Sequence, residues 1–187
     1  MEILIVRHGD PDYERDTLTY KGIEEARLLA ERLAKLEVTD FYCSPLGRAQ
    51  KTASYTLDKT GRTAETLPWL TEFEGKIKQG LFRKCQCWDR LPSYWTAQPD
   101  YYSYDRWHRV KLMKQGGVYR QYKEVCDGID ELLKKYGYHH KGKIFRVEQE
   151  SHARIVLFCH FGVESVILSH LFGISPMVMW HNFVALP

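Results

Sequence analysis

Arg7-His8-Gly9, the stretch from Ser44 to Arg48, and His160-Phe161-Gly162 together supply two arginines and two histidines. A guanidinium presents a planar fork of N–H donors that matches an oxyanion edge, and an imidazole acts as nucleophile or proton donor near neutral pH. If the fold brings these segments together, the pocket suits a dianion, with free helix amides adding to it. Taken singly, each residue is ordinary, because an Arg or His at a strand end is most often a surface residue or a local hydrogen bonder. Arg48 carries one further signal: an arginine in the first turn of a helix opposes the helix dipole, a small cost that a bound phosphate reverses. Coincidence at three strand ends shifts the odds towards a site.

The elements that must position these residues follow from apolar periodicity. Glu2 to Val6 and Ile155 to Cys159 are short, almost wholly apolar runs, as expected of strands covered on both faces of a parallel sheet. Asp40 to Cys43 is a shorter candidate strand and Ala64 to Leu67 a weaker one. Thr19 reads as the N-cap of a helix with Ala26, Leu29, Ala30, Leu33 and Leu36 on its apolar stripe. Ser44-Pro45 reads as N-cap and first residue of a second helix, running to about Asp58 and stopped near Gly61. A third helix carries Val118, Tyr122, Val125, Ile129, Leu132 and Tyr136 on one stripe and ends before Gly137; a fourth runs from about Gly162 to Phe172, with Gly173 as its stop. Strands alternating with helices predict an α/β fold, a three-layer α/β/α sandwich around a mostly parallel sheet, with ligands where strand carboxyl ends meet helix amino ends. The stretch from Phe73 to Gly117 breaks this rhythm with Trp88, Tyr94, Trp95, Tyr101, Tyr102, Tyr104 and Trp107. It reads as a lid-like, aromatic-rich insertion at about 73–117.

The 187 residues suffice for one substantial core, so a single domain spanning 1–187 is expected. A net charge of +3 from nearly balanced acids and bases gives no reason to expect a nucleic-acid partner. No long apolar stretch follows Met1, which points to a cytoplasmic chain without a membrane partner. Cys43, Cys85, Cys87, Cys126 and Cys159 are odd in number and scattered, so reduced thiols, no structural metal and no cofactor are expected. No glycine-rich phosphate loop with its lysine is present, which argues against GTPase-like and kinase-like readings.

Leu4-Ile5-Val6-Arg7-His8-Gly9 resembles the signature of the histidine phosphatase superfamily, which includes cofactor-dependent phosphoglycerate mutases and many small phosphatases. In order along the chain, Leu18 to Gly22, Tyr42 to Ala49, Leu70-Thr71-Glu72 and Cys159 to Val163 extend the resemblance over nearly everything but the insertion. The resemblance implies that His8 is the phosphorylated nucleophile, that Arg7, His8, Arg48 and His160 bind the phosphoryl group, and that Glu72 is the general acid, with His160 also in the catalytic set. The residue chemistry agrees, since neighbouring arginines disfavour a protonated imidazole and stabilise a phosphoryl group in transfer without a metal. Two positions depart from the family pattern. Glu14 stands where an asparagine is common six residues after the nucleophile, and Phe161 stands where some branches place an acid after the second histidine. The second departure points to Glu72 as the proton donor.

These features predict a phosphomonoester hydrolase for a small phosphorylated metabolite. The alternatives are a phosphoglycerate mutase-type phosphotransferase and a non-catalytic phosphate-binding module. Lys76, Lys78, Arg83 and Lys84 can reach further negative charge on a substrate, though such a run is usually a solvated face. The chain stops at Val184 to Pro187, where the resemblance leads one to expect a further strand.

Overall fold

In the computed structural model, which describes residues 1–80 and 83–184, the predicted apolar runs form one four-stranded, wholly parallel sheet. Its strands are β1 (Glu2–Arg7), β4 (Asp40–Cys43), β5 (Glu65–Thr66) and β10 (Arg154–Cys159), in the order β1-β10-β4-β5. Smaller antiparallel pairs stand apart from it: β2 (Pro11–Asp12) with β3 (Thr17–Leu18), β6 (Lys76–Gln79) with β7 (Arg83–Gln86), and β8 (Tyr138–Lys141) with β9 (Ile144–Val147). The helices are α1 (Tyr20–Leu33), α2 (Gly47–Thr60), α3 (Pro92–Thr96), α4 (Lys111–Gly116), α5 (Val118–Lys134), α6 (Phe161–Phe172) and α7 (Pro176–Asn182). The further strand expected at the C-terminus falls largely on residues 185–187, which lie outside the described residues.

The period of two along β10 builds the three layers. Ile155, Leu157 and Cys159 face a core shared with Ile129 of α5 and Val163 and Ile167 of α6, while Val156 and Phe158 face one shared with Leu33 of α1 and Ala49 and Ala53 of α2. All five strand residues are fully buried, as a central parallel strand requires. The register then sets the site. Arg7 pairs with Cys159 and Phe158 with Cys43, so His8, Ser44 and His160 leave the sheet at one level.

Thr19 caps α1 as predicted, its Oγ1 accepting from the Gly22 N–H. The helix ends at Leu33, short of Leu36. Two other expectations need correction. Helix α2 begins at Gly47 with Leu46 as its cap, and the Ser44 hydroxyl, which pairs with His160 and accepts from the Leu46 N–H ahead of the helix, does not cap it. Tyr136 lies beyond the end of α5, where its hydroxyl donates to Asp40 Oδ2 at 2.5 Å. Within the insertion, Trp95, Tyr101 and Trp107 are each 1% exposed and belong to the core around Ile129 and Leu157, so packing is what these aromatics do.

The loop after β1 is pinned against the start of α1. Thr19 Oγ1 donates to Asp10 Oδ2 at 2.7 Å, and the Asp10 N–H donates to Glu25 Oε2 at 2.7 Å. Backbone passes so closely that a Cβ on Gly22 would stand 2.2 Å from the Asp10 carbonyl oxygen. Alanine normally stabilises a helix by about 1 kcal/mol over glycine, whereas forcing backbone apart costs about 1–3 kcal/mol. Gly22→Ala should therefore lower the melting temperature; a rise in thermal unfolding experiments would show that the loop yields freely.

Candidate active site

His8 follows β1 directly and is 2% exposed. Its Nδ1 lies 2.7 Å from the Gly9 carbonyl oxygen, an acceptor only, so Nδ1 carries the proton and Nε2 keeps its lone pair. Arg48 Nε donates towards that lone pair at 3.4 Å. Burial, then the charges of Arg48 and Arg7, lower the His8 pKa, outweighing the Gly9 hydrogen bond and Asp16, which act the other way. The ring is held neutral with one nitrogen directed at the pocket.

His160, the residue before α6, lies with its ring centroid 5.0 Å from that of His8. Its Nε2 is 2.8 Å from Ser44 Oγ, which itself accepts from the Leu46 N–H. The serine oxygen keeps a second lone pair as well as its hydrogen, so it can pair with His160 Nε2 in either tautomer of the ring. The His160 Nδ1 is buried with no hydrogen-bond partner among the described residues. Burial first, then Arg48 and His8, push the His160 pKa down to about 3, so the ring is neutral near pH 7.

Arg48 is 9% exposed and is held by a residue that sequence reasoning missed. Asp16 Oδ1 pairs with Arg48 Nη1 at 2.6 Å, and Asp16 Oδ2 accepts from the Gly47 N–H at 2.6 Å. The cost expected for an arginine at the start of α2 is therefore already relieved by a carboxylate at that helix end. Burial pushes the Asp16 carboxyl up, but the Gly47 and Arg48 hydrogen bonds outweigh it and hold its pKa below the ordinary value. No sequence pattern flags Asp16, which reaches this place through a left-handed backbone with φ of 48°. Thr52 couples helix to loop, donating from Oγ1 to the Arg48 carbonyl at 2.8 Å and accepting from the Gly9 N–H at 3.1 Å. The charge of Arg7 is felt at His8, His160 and Glu164.

Glu72 sits at the amino end of α6. Its Oε1 accepts from the Phe73 N–H at 2.8 Å and the Gly162 N–H at 3.0 Å, and the Val163 N–H also bears on the carboxyl. Burial raises its pKa against these hydrogen bonds and the charge of Arg48. Gly162 is needed here, since a Cβ would stand 2.6 Å from Glu72 Oε1 and 2.8 Å from the ring of Trp88. The other carboxylates near the loop are occupied elsewhere: Asp10 by Thr19, Asp12 by Arg15, and Glu74 by Lys76. Glu14 is exposed, its backbone N–H bonded to Asp12.

Glu164, in the first turn of α6, was also not foreseen. Its Oε2 is buried without a hydrogen-bond partner among the described residues, and burial, with Glu72 adding and Arg7 opposing, pushes its pKa up to about 7. All five cysteines are unpaired, and burial pushes Cys43 and Cys126 up to about 12, so neither offers a thiolate. Lys76, Lys78, Arg83 and Lys84 lie exposed on the β6–β7 hairpin, as a solvated face does.

The chain is thus an α/β protein with His8, Arg48 and His160 gathered at the carboxyl ends of parallel strands. More narrowly, the chain belongs to the histidine phosphatase superfamily (branch 1), whose family profile matches residues 3–186. It is 24% identical to the adenosylcobalamin/alpha-ribazole phosphatase of Escherichia coli (strain K12), over 97% of this chain and 84% of that one. It is 32% identical to the probable phosphoglycerate mutase GpmB of Enterobacter sp. (strain 638), over only 40% of this chain and 39% of that one. A crystallised mutant of Entamoeba histolytica phosphoserine phosphatase, in complex with phosphoserine, shares the fold with a TM-score of 0.59 at 16% identity, covering 97% of this chain and 84% of that chain.

Because Arg48 lowers the His8 pKa, Arg48→Met should raise it. In histidine NMR titrations the wild-type His8 should titrate below the ordinary value of about 6.5, and the variant closer to it. An unchanged His8 curve would place the guanidinium outside electrostatic reach of the ring.

Proposed function

We propose that this chain is a phosphomonoester hydrolase that works through a phosphohistidine on His8, without a metal in its catalytic pocket. The observation that carries the reading is the state of His8, a buried neutral imidazole with its proton fixed on Nδ1 and its Nε2 beside Arg48. Family membership and the phosphatase and mutase relatives support phosphatase-type chemistry.

In the first step His8 Nε2 attacks phosphorus as the ester P–O bond breaks. The departing oxygen takes the proton of Glu72 and leaves as an alcohol. Arg7, Arg48 and His160 bind the equatorial oxygens while charge redistributes. In the second step water attacks the phosphohistidine, Glu72 accepts its proton, and the N–P bond breaks with its electron pair returning to Nε2. The opposite displacements of the two pKa values serve this sequence: the lowered one keeps His8 neutral as pH falls, and the raised one keeps Glu72 protonated as pH rises.

The substrate we propose is a small phosphorylated metabolite of the cytosol, with no nucleic-acid or membrane partner. No helix among the described residues is long and apolar enough to cross a membrane. Trp88 of the insertion lies against Gly162 and the rings of Phe161 and Trp180, which supports a covering role for this segment at the amino end of α6.

A proton donor matters most for a poor leaving group. Glu72→Gln should slow alkyl phosphate hydrolysis by roughly 100-fold or more and spare nitrophenyl phosphate, while His8→Ala abolishes both. Equal losses on the two substrates in Glu72→Gln, or turnover in His8→Ala, would contradict these roles.

A further inference from the structure

A second constellation lies at the far end of α6. Asp130 of α5, His140 of β8 and His170 of α6 converge from three elements, each offering a ligand atom within 4.8 Å of the others. His170 Nε2 is 2.8 Å from Asp130 Oδ1, and His140 Nδ1 is 3.0 Å from Asp130 Oδ2. The side chains are 6%, 18% and 19% exposed for His170, Asp130 and His140, so the cluster is sheltered and still reachable. The two imidazoles cross at 79° with centroids 4.6 Å apart, and Phe145 of β9 stacks on His140 at 4.8 Å. Ten residues of helix separate His170 from His160, roughly 15 Å at 1.5 Å per residue, so the catalytic steps make no use of this cluster.

We propose that Asp130, His140 and His170 form a binding site for one divalent transition cation of the zinc type, clamping the β8–β9 hairpin to α5 and α6. Two imidazoles and one carboxylate are a borderline donor set that suits zinc, cobalt or nickel. Calcium and magnesium call for oxygen-rich shells instead. Bonds of about 2.0–2.1 Å give a tetrahedral edge of about 3.3 Å. The present ligand atoms lie within 4.8 Å of one another, with the two histidines on different oxygens of Asp130, so binding draws the three side chains together around the cation. In the metal-bound form each ring carries its hydrogen on the nitrogen remote from the cation, which takes the place of the hydrogens now lying between the rings and Asp130. Three protein ligands leave a position for water.

The placement supports a clamping role. The hairpin is a separate two-stranded unit of four residues per strand, and such units are marginal alone. It meets α5 and α6 at this cluster, beside Tyr138 and Phe145, which pack on the core. Spacing along the chain does not reveal the site, because its ligands lie ten and thirty residues apart on three different elements.

The test uses the full chain, stripped with a chelator and titrated with Co(II) and Zn(II). One equivalent of Co(II) should give visible d–d absorption, Zn(II) should displace it, and the melting temperature should rise with zinc. His140→Ala and His170→Gln should each lose the absorption and the thermal shift, whereas Cys85→Ser/Cys87→Ser should keep both. A stripped wild-type protein that shows neither signal overturns the proposal, as does binding that survives in the two histidine variants. Should those variants fold poorly, the zinc-dependent melting of the wild type still decides. Turnover of nitrophenyl phosphate well below melting should be unchanged by stripping, so failure of the hydrolase reading and failure of this site are seen separately.

Discussion

Burying a guanidinium beside two imidazoles is costly unless an anion is there to meet it, and much of this structure follows from that requirement. Arg48 lies almost wholly inside, within hydrogen-bond reach of His8, and its charge also bears on His160 and Glu72. Asp16 is the anion that meets it. Burial first, with the same positive field adding to it, lowers the pKa of both rings, and His8 keeps a lone pair on Nε2. Asp16 engages Nη1, so a substrate dianion must share the guanidinium with it or displace it.

Helix α6 carries the second half of the arrangement. Its first turn supplies the Gly162 N–H that anchors Glu72 and the Glu164 carboxyl that lies within reach of Arg7, and the residue before it is His160. An amino terminus stabilises negative charge, yet burial wins at Glu72 and its pKa rises. A carboxyl held by backbone N–H groups and still reluctant to ionise is suited to proton transfer in both directions.

Much of this was legible in the sequence, for a physical reason. Strands β1 and β10 and helix α5 are long enough to show their buried faces as runs or stripes, and parallel register then brings His8, Ser44 and His160 level. The two-residue strands β2 and β3 show no period, and Tyr138-His139-His140-Lys141 reads as polar although it is a strand. Ser44-Pro45 carried a good capping signal, but the hydroxyl pairs with His160 and accepts from the Leu46 N–H ahead of the helix, and a local rule failed at a residue of the site. Asp16 and Glu164 stayed hidden because their importance comes from backbone conformation and burial, which no single-residue signal reports. The likeness to a family, and not spacing, singled out Glu72 among the nearby acids. The hydrogen bonds of Asp10, Asp12 and Glu74 now give a structural reason for setting those three aside.

The central claim is that phosphorus is bonded to His8 Nε2 during turnover. Rapid quenching of wild-type enzyme with labelled phosphomonoester, followed by peptide mapping, tests it most directly. The account predicts a transient adduct on the peptide containing His8, labile in acid and stable in base. A stable serine or cysteine adduct, or full turnover with no adduct at any quench time, would contradict it.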